Sequence, residues 1–143
     1  LNTYISRYNV PKSLLEIEIT ETIQNNNTDA SINALKSEGY KLLMDDFGSG
    51  YSSLKMINDT QFDVLKIDRS FLNAFLNSER GKKIISHTIN MSQDIGIDTI
   101  AEGVETEEQE KFLLENGCHY AQGFLFSKPI PLKEFNPKYM HID

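Results

Sequence analysis

Tyr40-Lys41-Leu42-Leu43-Met44-Asp45-Asp46-Phe47-Gly48-Ser49-Gly50 is the stretch whose reading decides the fold. Residues 40–45 form a short apolar run that reads as a strand. Two aspartates end it, and two glycines then allow a tight loop and a close backbone approach. The same alternation extends in both directions. Upstream, residues 28–38 read as a helix with Thr28 at its start and Gly39 just past its end. Residues 14–20 before it read as a strand, with Glu16 and Glu18 on one face at period two. Downstream, residues 62–67 read as a strand. Residues 81–95 carry an apolar stripe at Ile85, Ile89, Ser92 and Ile95, a helix closed by Gly96. Residues 99–102 are a fourth strand. Thr106-Glu107-Glu108-Gln109 is a capping box that opens a helix ending at Gly117. Residues 120–122 are a short fifth strand, after which Pro129 and Pro131 break regular structure. Residues 1–8 read as the tail of a helix ended by Asn9-Val10-Pro11. Strand–helix–strand alternation implies right-handed crossovers and a parallel sheet.

Composition narrows the classes. The chain has 143 residues, 39% hydrophobic and 24% charged, so a single packed domain or part of one is expected. Its net charge of −7 comes without a basic cluster. Binding to duplex nucleic acid is not expected, because phosphate neutralisation drives it. One cysteine, Cys118, excludes both an intrachain disulfide and a Cys₄ zinc site. No apolar run approaches the length of a membrane span and no signal peptide opens the chain, so a cytoplasmic setting is expected, with a parent protein free to be membrane-tethered.

Polar residues collect where the apolar strands stop: Glu18, Asp45, Asp46, Lys66, Glu102 and Gln122. Taken singly, each is an ordinary polar strand end facing water. On successive strand ends of a parallel α/β fold they make a site. Four carboxylates and one lysine sum to about −3, a charge that divalent cations with all-oxygen ligands would offset. Lys66, set among Val64, Leu65 and Ile67, requires partners, and the acids supply them. Glu105 reads as a first-turn acid favoured by the helix dipole. His87, His119 and His141 are too far apart in sequence to form a local metal pair. Cys118 reads as a small buried hydrophobe. Nothing resembles a nucleophile elbow, and the Gly-x-Gly spacing is neither Walker A nor a full dinucleotide fingerprint.

Five segments in order carry a family resemblance: Glu18-Ile19-Thr20-Glu21; residues 45–54; Lys66-Ile67-Asp68-Arg69-Ser70-Phe71; Ala101-Glu102-Gly103-Val104-Glu105-Thr106; and Gln122-Gly123-Phe124. They resemble the EAL-domain cyclic di-GMP phosphodiesterases of bacteria. Ser49 for the commoner threonine and Phe124 for tyrosine are mild departures. The resemblance implies an α/β fold, an incomplete TIM-like (β/α)₈ barrel of about five mostly parallel strands. It implies hydrolysis of cyclic di-GMP to linear pGpG with two divalent ions, Mg²⁺ or Mn²⁺. By motif, Glu18, Asp45, Asp46 and Glu102 would be metal ligands. Lys66 would orient water and phosphate, Glu102 would be the carboxylate near the second metal that serves as general base, and Gln122 would support the water and metal shell. Glu21 would anchor the loop 47–53, in which Phe47, Gly48, Ser49 and Gly50 shape the site and a dimer contact.

The family's Glu-Ala-Leu motif and its metal-binding asparagine do not occur in this sequence. Residues 1–143 are therefore expected to be the C-terminal part of a single EAL domain, inactive alone, with open sheet edges that favour self-association. The resemblance also allows fused sensory or GGDEF domains in a parent protein. The alternative is a degenerate, non-catalytic EAL module that binds cyclic di-GMP or a protein partner in signalling.

Overall fold

The computed structural model describes residues 2–20, 28–48 and 53–139. Among the described residues, five strands form one sheet: β1 (Glu16–Thr20), β2 (Lys41–Phe47), β3 (Val64–Ile67), β4 (Asp98–Glu102) and β5 (Tyr120–Gln122). They lie in sequence order and every neighbouring pair is parallel. Helices α1 (Asn2–Tyr8), α2 (Thr28–Ser37), α3 (Ser53–Asp59), α4 (Arg69–Leu76), α5 (Glu79–Asp94), α6 (Glu107–Glu115) and α7 (Leu132–Tyr139) complete the order, with a 3₁₀ turn at Lys12–Leu14. Among the described residues β1 pairs only with β2 and β5 only with β4, so the sheet is open.

The pleat sorts the side chains. Paired residues in register share a face. Ile19, Leu42, Met44, Leu65, Ile67 and Ala101 take one face, pack against the helices and are buried. Helices α2, α4, α5 and α6 contribute Ile32, Leu72, Ile85, Ile89 and Leu113 to the same core. Glu18, Asp45, Lys66, Glu102 and Gln122 fall on the other face, toward the strands' C-terminal ends. Burial of the apolar face therefore dictates which residues the second face presents.

One irregularity shapes the site. Met44 pairs with Leu65 and Phe47 with Ile67, so β2 spends three steps where β3 spends two. Both Met44 and Phe47 are buried in the core. Strict alternation would put residues three apart on opposite faces, so the extra residue is a β-bulge at Asp45-Asp46. Asp46 adopts the left-handed conformation, φ 57°, that a bulge or turn requires and that aspartate tolerates better than most residues. The strand expected to stop at Asp45 thus runs on to Phe47.

Other expectations need correction. Helix α4 follows β3 directly and was not foreseen. Asp68 caps it: Ser70 donates its backbone N–H (2.7 Å) and its hydroxyl to Asp68 Oδ1. Pro131 precedes a helix instead of ending regular structure, because the Pro131 carbonyl accepts from Glu134 N at 2.8 Å and Phe135 N at 3.0 Å. Proline before a first turn gives up no helical hydrogen bond. Helix α5 starts at Glu79, two residues before the expected start at Gly81, at a cap where Ser78 accepts from Gly81 N. The capping box at Thr106–Gln109 is present with both reciprocal bonds.

Candidate active site at the C-terminal strand ends

Lys66 is the hub. It sits on the shortest fully buried strand, flanked by Leu65 and Ile67, and is itself only 7% exposed. Its Nζ lies 2.7 Å from Glu18 Oε1, 2.9 Å from Asp45 Oδ1 and 2.9 Å from Glu102 Oε1. Three strands thus each send one carboxylate to a fourth strand's ammonium. Burial works to lower the Lys66 pKa, but the three carboxylates outweigh it, and the net direction is well above the ordinary lysine range. The three carboxylates thus favour the ammonium form of Lys66 in the metal-free protein.

The acids differ in their surroundings. Asp45 and Glu102 are largely buried, whereas Glu18 is half exposed. Glu102 Oε1 also accepts from Gln122 Nε2 at 2.5 Å, so β3, through Lys66, and β5 lock that carboxylate from two sides. Asp45 Oδ1 is enclosed and finds no well-aligned hydrogen bond, its contact with Lys66 being one of charge. Asp46 is half-buried and forms no ion pair among the described residues. The bulge separates it from Asp45's partner set.

Donor chemistry here fits a hard divalent cation: all carboxylate oxygens, one of them enclosed without a hydrogen bond. Among the described residues, however, no three of His, Cys, Asp or Glu are arranged around a common metal position. The three acids converge on the ammonium instead.

The loops beyond the strands are tightly interlocked. Val104 N donates to the Gln122 carbonyl and Leu125 N to the Val104 carbonyl, both at 3.1 Å. A Cβ on Gly123 would stand 2.0 Å from the Val104 carbonyl oxygen. Gly103, φ 68°, lies under Arg69, whose Cγ would be 2.5 Å from an added Cβ. Arg69 reaches over it to Glu105 at 2.6 Å. Glu105 is thus not a first-turn helix acid but an ion-pair partner across the rim, outside the cap at Thr106. Sequence reading missed Arg69, and its only signal was its place within Lys66-Ile67-Asp68-Arg69. Beside Gln122, a cavity of about 640 Å³ is lined by Arg69, Phe124, Phe126, Lys128, Phe135 and other residues of this rim.

Of the loop 47–53, Phe47 points into the core, edge-on to Phe71 at 5.9 Å. Gly48, φ 94°, is pressed on the same ring, where a Cβ would be 2.2 Å from Phe71. Glu21, Ser49 and Gly50 lie outside the described residues. His87 and His119 are exposed, and Cys118 is buried, its thiol pKa pushed up by desolvation.

A parallel sheet whose C-terminal strand ends join an acid-rich cluster to one lysine defines a class of α/β enzyme-like sites. The sequence profile of the EAL domain matches residues 1–129. The chain belongs to the EAL-domain family. Among known proteins, it is 37% identical over 134 residues to the signaling protein YkoW of Bacillus subtilis, covering 92% of this chain and 17% of that protein. It is 44% identical over 121 residues to the cyclic di-GMP phosphodiesterase NbdA of Pseudomonas aeruginosa, covering 82% and 16%. The chain therefore spans under a fifth of the length of these relatives. The EAL enzyme Bd1971, in a form with cAMP and cyclic-di-GMP bound, superposes with a TM-score of 0.88 at 32% identity, over 94% of this chain and 36% of that one. Klebsiella pneumoniae BlrP1, in a manganese and cyclic di-GMP complex, gives 0.81 at 33% identity, over 89% and 33%.

Proposed function

We propose that this domain hydrolyses one phosphodiester of cyclic di-GMP to linear pGpG with Mg²⁺ or Mn²⁺. The observation that carries the reading is the Lys66 cluster, assembled from Glu18, Asp45 and Glu102 at the strand ends of an EAL-family sheet. Glu18, Asp45, Asp46 and Glu102 would hold the divalent ions. When bound, these ions supply a water of lowered pKa and a counter-charge for the phosphate. Lys66, as its ammonium, meets a phosphate oxygen and orients the attacking water. Glu102 accepts the water's proton, its carboxylate held in place by Gln122. Water oxygen bonds to phosphorus, the phosphorus–ester oxygen bond breaks, and the departing oxygen takes a proton from solvent to leave as a hydroxyl while Glu102 returns its own to solvent. The cavity beside Gln122 supports a nucleotide ligand, with aromatic rings for a base and Arg69 and Lys128 for phosphate. Self-association through the edge of β1 or the region of loop 47–53 belongs to the same reading.

A second reading, a module that binds the dinucleotide without cleaving it, is favoured by the lack of a metal-ready carboxylate group among the described residues. One experiment separates the two. Residues 1–143 would be inactive alone, so the complete EAL domain, with the half that carries the Glu-Ala-Leu motif restored, is incubated with cyclic di-GMP and Mn²⁺, Mg²⁺ or chelator, and products are resolved by chromatography. Metal-dependent pGpG is the expected outcome. Binding of intact dinucleotide with no product in either metal establishes the second reading.

A further inference from the structure

The geometry of Lys66 carries more than its role toward phosphate. Three carboxylates from β1, β2 and β4 approach within 2.7–2.9 Å of one ammonium. Three negative charges less one positive leave the group at −2, in a setting where Lys66 is 7% exposed. Without the ammonium, the largely buried Asp45 and Glu102 would face each other and Glu18 as like charges with little water between them. Three of the four carboxylates read as metal ligands are the ones engaged by Nζ.

We propose that Lys66 is the built-in counter-ion of the site: it holds Glu18, Asp45 and Glu102 converged in the metal-free protein and competes with a divalent cation for their oxygens. The inference rests on the reading of these acids as metal ligands. It makes Lys66 a positioning residue for the site before any chemistry begins. The metal-free arrangement is preorganised, and metal affinity is held down because binding must displace or share an ammonium contact. Asp45 Oδ1, enclosed and lacking a well-aligned hydrogen bond, is the oxygen least satisfied by the ammonium alone.

The test compares the wild type with Lys66→Met, a neutral side chain of similar length, and Lys66→Arg, which keeps the charge. Thermal melts are recorded in chelator, and Mn²⁺ affinity is read from the electron paramagnetic resonance of free Mn²⁺. In chelator, Lys66→Met is expected to melt below the wild type, with the deficit widening as salt is lowered. With Mn²⁺ it is expected to bind at least about tenfold more tightly than the wild type. A packing defect alone would not improve metal affinity. Lys66→Arg is expected to keep both wild-type behaviours. If Lys66→Met does not fold in chelator, adding Glu18→Gln should restore folding by removing one like charge, and no restoration overturns the proposal. Equal melts in chelator, or Mn²⁺ affinity unchanged or weaker in Lys66→Met while the wild type binds the ion, overturn the counter-ion role alone. No Mn²⁺ binding by any of the three proteins overturns the metal reading itself, and the competition with it.

Discussion

The two ends of the parallel sheet each carry a polar cluster, and the clusters are built on opposite principles. At the N-terminal end, Asp63 accepts from Lys36 Nζ at 2.5 Å and from Leu42 N at 2.8 Å, while its own backbone joins β2 and β4. One acid meets one base, and the remaining oxygen caps a buried strand's first free N–H. At the C-terminal end three acids meet one base, and one enclosed oxygen is left without a good hydrogen bond. A balanced cluster completes the fold. An unbalanced one retains net negative charge that, on the proposed function, a bound cation would offset. The comparison breaks if changes at the balanced end cost activity, or if changes at the unbalanced end cost only stability.

The largest expected effect lies at the unbalanced end. In the complete EAL domain, on the proposed function, Lys66→Ala and Glu102→Gln should each lower the rate of cyclic di-GMP cleavage by at least about 10²-fold, the usual scale for losing proton-transfer or electrostatic help. Steady-state assays on protein shown to be folded by circular dichroism provide the check. Full turnover in either variant would remove that residue from the chemistry.

Next in size is the balanced end. Asp63→Ala removes the acceptor of Leu42 N, whose residue is wholly buried. An orphaned buried donor costs about 1–3 kcal/mol, and the lower part of that range applies because Asp63 and Lys36 are each a third exposed. Activity per folded molecule should not change. The pH dependence has a definite sign. Burial works to raise the Asp63 pKa, but hydrogen bonds from Lys36 and Leu42 N outweigh it, and the net pKa is lowered. A depressed folded-state pKa gives stability that is present above the unfolded value, near 4, and is lost as pH falls through the folded value. Melts of wild type and Asp63→Asn should therefore stand apart at pH 7 and draw together near pH 2. A constant gap across that range would show that charge at Asp63 contributes nothing.

How far the two ends were legible in the sequence follows from their physics. The strands and most helices show through periodicity, because burial of one face imposes it. The partners of Lys66 could be anticipated in kind, since a lysine inside an apolar strand requires acids. The bulge could not be read: two adjacent aspartates look alike in a sequence, and only the pairing of Met44 and Phe47 on one face shows that they share one step. Helix α4 was hidden because no loop separates it from β3, and Asp68 serves at once as strand exit and helix cap. The Asp63 clamp left no pattern, because its partners are 27 and 21 residues away.

The smallest expected effect tests the comparison where its two principles meet. Arg69 and Glu105 stand at the C-terminal end, yet they are a balanced pair, one charge against one at 2.6 Å, with side chains 55% and 39% exposed. If balance rather than location decides the role, Glu105→Gln should behave like a structural change. Exposed pairs contribute about 0.2–1 kcal/mol, so its melting temperature should fall by only a few degrees at most. Arg69 lines the cavity beside Gln122, so loosening it should raise KM for cyclic di-GMP by less than about tenfold and leave kcat within a few-fold, the pattern of lost ground-state binding. Glu105 is separated from Glu102 by Gly103 and Val104, and the backbone bonds of Val104 to Gln122 and Leu125 hold that loop without the ion pair. A collapse of kcat in Glu105→Gln, comparable to that of Glu102→Gln, would show that position at the strand ends outweighs charge balance.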